Sequence, residues 1–265
     1  MILSSASPAG VALTLAAAVA YAVPAAGASR LSEQTARMVL VAAWVLHASV
    51  LAWGLLGDSP RFGFAPAVSV TAWLVLTVYT VETKVFPELR GRWALAGLGT
   101  AAVLLALVFP GTPLHTTTSP WLPLHWALGI ASYGLFAAAV VHAWLMQRVE
   151  QTMRHGQEPQ AGLPLLTLER LTFRFATAGF VLLTGTLVAG IFFSESLYGR
   201  AWRWDHKTVF SVLSWFVFAT LLLGRLRFGL RGRRAVNGIY IGSVLLLLAY
   251  VGSRFVLEVV LGRVA

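Results

Sequence analysis

An all-α, polytopic membrane bundle of about eight helices is the fold class this chain predicts, and three observations carry it. Of its 265 residues, 58% are hydrophobic and 11% are charged, against roughly 45–50% and 25% in soluble domains. The apolar residues fall in successive runs long enough to cross roughly 30 Å of hydrocarbon. Those runs lack the apolar/polar alternation of barrel strands. Backbone groups in lipid must be satisfied internally, so helices are the spanning structure.

Taken in order, the spans are expected near 8–27, 36–56, 66–83, 93–110, 123–146, 170–193, 207–225 and 236–257, in a single membrane domain covering 1–265. The first run, VALTLAAAVAYAVPAAGA, has the look of a signal-peptide core. No Lys or Arg precedes Arg30, however, so the charged leader of such a peptide is missing and a retained span is expected. The second run carries His47 in its middle, in AAWVLHASV. The third follows the loop PRFGFAPAVS, and the fourth precedes a loop containing His115. The fifth opens on LHWALGIASYG, with His125 at its start. A polar connector near 147–169, with Pro159 and Pro164, separates it from the sixth. The seventh begins after YGRAWRWDHKT, residues 198–208, and the eighth after an arginine-rich turn. No internal repeat is visible, nor the matched broken helices of inverted-repeat transporters.

The formal net charge is +10, but the cations lie in short clusters beside the apolar runs. There is no basic soluble domain to bind nucleic acid. The first, third, fifth and seventh connections hold 14 of the 20 Lys and Arg residues, among them Arg148, Arg154, Arg170, Arg174 and the series Arg225 to Arg234. The excess of cations on cytoplasmic loops then places both termini outside and YGRAWRWDHKT on the outer face. Arg225 to Arg234 read as topology determinants, with attraction of anionic lipid or haem propionates as the alternative. The absence of cysteine excludes disulfides, thiolate metal sites and any redox role for the protein's own thiols.

Ionisable residues in spans are functional hypotheses by default, and six histidines are present. His125 and His142 are 17 positions apart, roughly 25 Å along a helix, and cannot share one metal. His142 and His155 read as solvated or interfacial. His125 and His206 both open helices at the outer face, and His115 precedes the fifth span. Two imidazoles facing one another across a flat ring can hold haem iron, and tryptophans suit the macrocycle. Simpler alternatives stand beside these readings: interfacial anchoring for Trp202 and Trp204, a helix-end hydrogen bond for His125, and a helix-to-helix hydrogen bond for His47. Neither a nucleophile–base arrangement nor an intramembrane carboxylate path is apparent; Glu82 and Glu258 lie near span ends.

The run from Leu168 to Arg225 resembles the cytochrome c assembly protein family, whose haem-handling outer loop has the form W-G-x-x-W-x-W-D-P-K-E-T. Tyr198 stands at its first tryptophan; Gly199, Trp202, Trp204, Asp205 and Lys207 keep the pattern, and His206 replaces the proline. LHWALGIASYG is similar to the family's L-x-x-H-x-S-x-x-x-L-S-Y. The resemblance covers about 66–260, with the first two helices, 8–56, more divergent. Among CcsA/CcmC-type members it is nearest to the YpjD/HemX-like inner-membrane branch, which His47 also fits.

The resemblance implies a multi-pass protein of the bacterial inner membrane that binds non-covalent b-type haem near the periplasmic face and assists cytochrome c assembly or haem handling. His125 would be an axial ligand to the iron, and His206 the second ligand or its support. Trp202 and Trp204 would pack the ring, Asp205 would fix an imidazole, and Lys207 with Arg200 and Arg203 would meet the propionates. His47 is a further haem-contacting candidate. Partners would be haem, membrane lipid, and other cytochrome c maturation proteins or an apocytochrome. Two histidines of the synthase branch are replaced, by Leu223 and Leu261, so a complete cytochrome c haem lyase is not expected. The alternative is a non-enzymatic scaffold or regulator of the same fold without haem ligation, partnering an ion exporter or a haem-synthesis enzyme.

Overall fold

The computed structural model describes residues 7–27, 30–56, 60–85, 92–113, 122–155, 164–194 and 204–262. Eight principal helices run through them: α1 (Pro8–Ala26), α2 (Glu33–Leu56), α3 (Phe64–Val85), α4 (Arg92–Val108), α5 (Leu122–Arg154), α6 (Leu165–Phe192), α7 (His206–Phe228) and α8 (Gly232–Leu247). The chain of α8 continues without a break through a π-helical turn (Leu248–Gly252), a short α-turn (Ser253–Phe255) and a second π-helical turn (Val256–Val260). With α8 counted to Val260, seven helices are long and apolar enough to span a membrane; α4 is a shorter apolar helix.

The ends of these helices have local causes. Ser7 caps α1 by accepting from the Gly10 amide at 3.1 Å, with Pro8 in the first turn, where a missing N–H removes no helical bond. Ser32 caps α2 through the Thr35 amide. Gly229 closes α7 in a left-handed conformation, φ 63°, and its amide returns to the Arg225 carbonyl, the role for which glycine lacks a Cβ penalty.

Two boundaries differ from expectation. Helix α5 runs to Arg154, about two turns past the expected 146, and α6 starts at Leu165 rather than 170. The segment RVEQTMR is polar but has neither Gly nor Pro, so it continues the helix beyond the apolar run. Glu150 pairs with Arg154 one turn on, at 2.5 Å, and the Arg148 guanidinium lies 4.3 Å from the Trp144 ring centroid.

The chain forms two compact units, Met1–Leu114 with Arg254–Ala265, and His115–Ser253. In the first, α1 packs on α2 and α4, and α3 on α2 and α4, so the four helices close a ring. Tyr21, His47 and Ser69, all buried, meet inside it. Gly99 of α4 allows the close approach, because a Cβ there would stand 3.0 Å from the Tyr21 ring. At one end a two-residue antiparallel pair, Arg61–Phe62 with Thr112–Pro113, ties the loop before α3 to the loop after α4. Arg61 donates through Nε and Nη2 to the Gly111 carbonyl, and Phe255 packs edge-on against Phe64.

The second unit is also a ring: α5 packs on α6 and α8, and α7 on α6 and α8. Phe136 of α5 and Phe218 of α7 stack across its centre, ring centroids 3.8 Å apart. Glycines of the two intervening helices make room, since a Cβ at Gly242 would meet Phe218 at 2.7 Å and one at Gly179 would meet Phe136 at 3.1 Å. Ser214 donates to the Gly242 carbonyl beside the stack.

Candidate functional site

The residues from Trp204 to Lys207 are set by a helix cap. Asp205 is extended (φ −90°, ψ 170°), and its Oδ1 accepts from the Thr208 amide at 2.9 Å. Its backbone carbonyl accepts from the Val209 amide. This is the cap that an aspartate is suited to make at a helix N-terminus. Partial burial would raise the Asp205 carboxyl, but the Thr208 amide and hydroxyl and the charges of Lys207 and His206 outweigh it and hold it below the ordinary carboxylate range. The carboxylate expected to fix an imidazole is thus engaged by Thr208, and the cap places His206 and Lys207 in the first turn of α7. His206 is exposed, Trp204 is 70% exposed and Lys207 is half-buried. The Lys207 Nζ lies 6.0 Å from the centroid of the Tyr250 ring, at the outer limit of a cation–π contact.

His125 sits half-buried in the first turn of α5. Eight residues further along that helix, Tyr133 of the same LHWALGIASYG motif reaches α8. Its hydroxyl donates to the Leu246 carbonyl. Trp202, with Arg200, Arg203 and His115, lies outside the described residues. Among those described, no three His, Asp or Glu side chains gather in a way that could hold a metal ion.

His47 belongs to the other unit and is fully buried. The Tyr21 hydroxyl hydrogen-bonds its Nδ1 at 3.3 Å, and its Nε2 hydrogen-bonds the Ser69 hydroxyl at 2.8 Å. A neutral imidazole offers one donor and one acceptor, which two flanking hydroxyls can satisfy. The ring therefore joins three helices, with both nitrogens engaged.

Two features escaped the sequence. His142, expected at a solvated surface, is buried; its Nδ1 hydrogen-bonds the Ala138 carbonyl and its ring packs on Phe175. The polar extension of α5 continues the helix about three turns past it, to Arg154. Glu169 is also buried: Arg225 and Arg231 both pair with its Oε1, Arg231 at 3.4 Å, and the Arg225 guanidinium covers the Phe173 ring at 3.7 Å. Its signal was legible in outline. Glu169 shares an i, i+3, i+4, i+7 stripe with Thr172, Phe173 and Ala176, the buried face of α6. At the positions of the two replaced family histidines, Leu223 and Leu261 are 57% and 52% exposed.

Among the described residues, seven helices long and apolar enough to cross a membrane define a multi-pass membrane protein. Residues 34–261, from the start of α2 to the end of the last helical turn, match the family described as Cytochrome C assembly protein. The chain belongs to that family. It is 32% identical over 227 residues to the inner membrane protein YpjD of Escherichia coli (strain K12), across 83% of this chain and 85% of that protein. It is 27% identical to the cytochrome c biogenesis protein CcsA of Synechococcus sp. (strain RCC307), across 80% of each chain. An uncharacterised 28.8 kDa protein of Azospirillum brasilense is 34% identical across 54% of each.

Proposed function

We propose that the protein handles haem during cytochrome c assembly, holding b-type haem non-covalently at the end of unit 2 where α5 and α7 begin. The observation that carries this reading is the Asp205 cap, which presents His206 and Lys207 together at the first turn of α7, in the same unit as His125. The donor set suits the group: imidazoles for iron, indoles for the macrocycle and cations for the propionates. In this reading His125 is an axial ligand and His206 the second ligand or its support. Trp202 and Trp204 pack the ring, and Lys207 with Arg200 and Arg203 meets the propionates. Bound haem would supply vinyl groups for thioether formation, and the thiols must come from a partner such as an apocytochrome, because this chain has no cysteine. The distribution of cations along the sequence supports a periplasmic position for this end.

His47 is a further haem-contacting candidate in this reading, and release of Ser69 or Tyr21 would open a nitrogen. Its present hydrogen bonds, with Leu223 and Leu261 in place of family histidines, favour a second reading: a scaffold or regulator of the same fold that does not ligate haem. A visible spectrum of the detergent-purified protein separates the two. A Soret band in the wild type that collapses in His125→Ala and His206→Ala supports the first reading. No band after haem supplementation rejects it in favour of the second.

A further inference from the structure

The hydroxyl of Tyr133 occupies an unusual place. In an unbroken α-helix the Tyr250 amide would bond to the Leu246 carbonyl, four residues back. Here that carbonyl accepts from the Tyr133 hydroxyl, a side chain of α5 that reaches into the ladder. A side chain inserted into the ladder is an identifiable cause of local unwinding, and the chain is π-helical over Leu248–Gly252. The wider spacing is visible at the next turn, where the Ser253 amide reaches the Leu248 carbonyl five residues back. A π-turn adds a residue to one turn of helix and so rotates the side chains beyond it. Tyr250 lies inside that turn, and its ring faces the Lys207 ammonium.

We propose that Tyr133 is a positioning residue for Lys207. Its hydroxyl, spliced into the α8 ladder, holds open the π-turn that sets the Tyr250 ring against the lysine. The role assigned to Lys207 as a propionate partner rests on the haem reading above; its placement by Tyr133 does not. π-Turns inside α-helices recur at functional sites, and the first of the two in this helix is the one at Leu248–Gly252. This one connects the motif helix that carries His125 to the capped turn that carries His206 and Lys207. Tyr133 needs to touch no ligand to do so.

The chain has only two lysines, Lys84 and Lys207, so amine acylation of the full-length protein in detergent gives a clean readout. Timed labelling with an N-hydroxysuccinimide acetate and peptide mass spectrometry yields the ratio of Lys207 to Lys84 modification. Tyr133→Phe removes the inserted hydroxyl and retains the ring. It is expected to raise that ratio about two- to fivefold, the factor corresponding to loss of one exposed cation–π contact, and to change amide exchange over 246–254. Tyr250→Leu is expected to raise the ratio equally while leaving that exchange unchanged. An unchanged ratio in Tyr133→Phe overturns the proposal, whether or not Tyr250→Leu raises it. The Lys84 rate in each variant controls for general unfolding. A Soret titration of the same samples tests the haem reading separately: a wild type without a band overturns that reading, while the acylation ratio still decides the role of Tyr133.

Discussion

The two units are built on one plan and filled with opposite materials. Each closes four helices into a ring, and each uses glycine to let a large ring approach a neighbouring helix: Gly99 under Tyr21 in the first, Gly179 and Gly242 under Phe136 and Phe218 in the second. The first then fills its centre with a hydrogen-bonded chain, Tyr21–His47–Ser69, and the second with an aromatic stack. In lipid the apolar surroundings provide little drive for helices to associate, so packing and interhelical hydrogen bonds must supply it. The first unit relies more on hydrogen-bond geometry and the second more on shape. Unit 2 keeps its charged network on α6, α7 and α8, where Glu169 gathers Arg225 and Arg231.

That contrast can be broken most forcefully at Phe218. Phe218→Ala removes a fully buried ring and is expected to cost about 3–5 kcal/mol, read as a lowered unfolding midpoint in a denaturing-detergent titration. A loss below about 1 kcal/mol would show that the stack does not hold the second ring together. Arg225→Ala is next. It leaves the buried Glu169 with the more distant Arg231, and a loss of about 2 kcal/mol is expected, reduced from the value for a fully buried pair because Arg225 is partly exposed. Arg225→Lys should recover only part of it, since an ammonium lacks the flat face that covers Phe173.

Adding volume tests the same centre from the other side. Gly242→Ala places a methyl 2.7 Å from the Phe218 ring and is expected to cost about 1–3 kcal/mol by overpacking, whereas Gly97→Ala, with open space around it, should be neutral in the same titration. In the first unit the sensitive property is polarity. His47→Leu keeps most of the volume, strands the Tyr21 and Ser69 hydroxyls and should cost about 1 kcal/mol, the scale of interhelical hydrogen bonds in membranes. The triple variant Tyr21→Phe, His47→Leu, Ser69→Ala removes all three polar groups and should regain part of the loss. If the triple variant is worse than the single one, the chain of hydrogen bonds is not what His47 contributes.

The smallest effect belongs to the cap of α7. Asp205→Ala should cost about 1 kcal/mol at neutral pH, and the difference should fade in acid. The Asp205 carboxyl lies below its ordinary value in the fold, so its stabilisation is fully present above the unfolded value of about 3.9 and is lost as pH falls through the folded one. Measured from pH 7 downward, the gap between wild type and variant should therefore hold until the ordinary carboxylate value of about 3.9 and narrow below it; a gap that narrows already above that value would show that the carboxylate charge is not what makes the cap.

Much of the candidate site was legible because it is local. Asp205, His206 and Lys207 are adjacent in sequence, and a cap acts over three residues, so the motif and its geometry are one feature. Tyr133 was visible only as a letter of the LHWALGIASYG motif. Its contact with α8 spans more than a hundred residues, and no spacing in the chain announces it. Glu169 was half legible, since its stripe marked a buried face but its arginines are brought by α7 and α8. His47 could be assigned an interhelical partner in kind, whereas Tyr21 and Ser69 as the particular partners depend on how α1 and α3 are rotated.

By itself the sequence determined the number and approximate extent of the helices, because in lipid each segment must satisfy its own backbone and apolar length alone decides whether it can span. Only the tertiary structure decided that the helices close into two rings, that one ring has a polar centre and the other an aromatic one, and that a tyrosine of α5 meets the Leu246 carbonyl of α8. Those outcomes depend on the rotation of each helix about its axis, which is fixed by steric fit between side chains far apart in the chain.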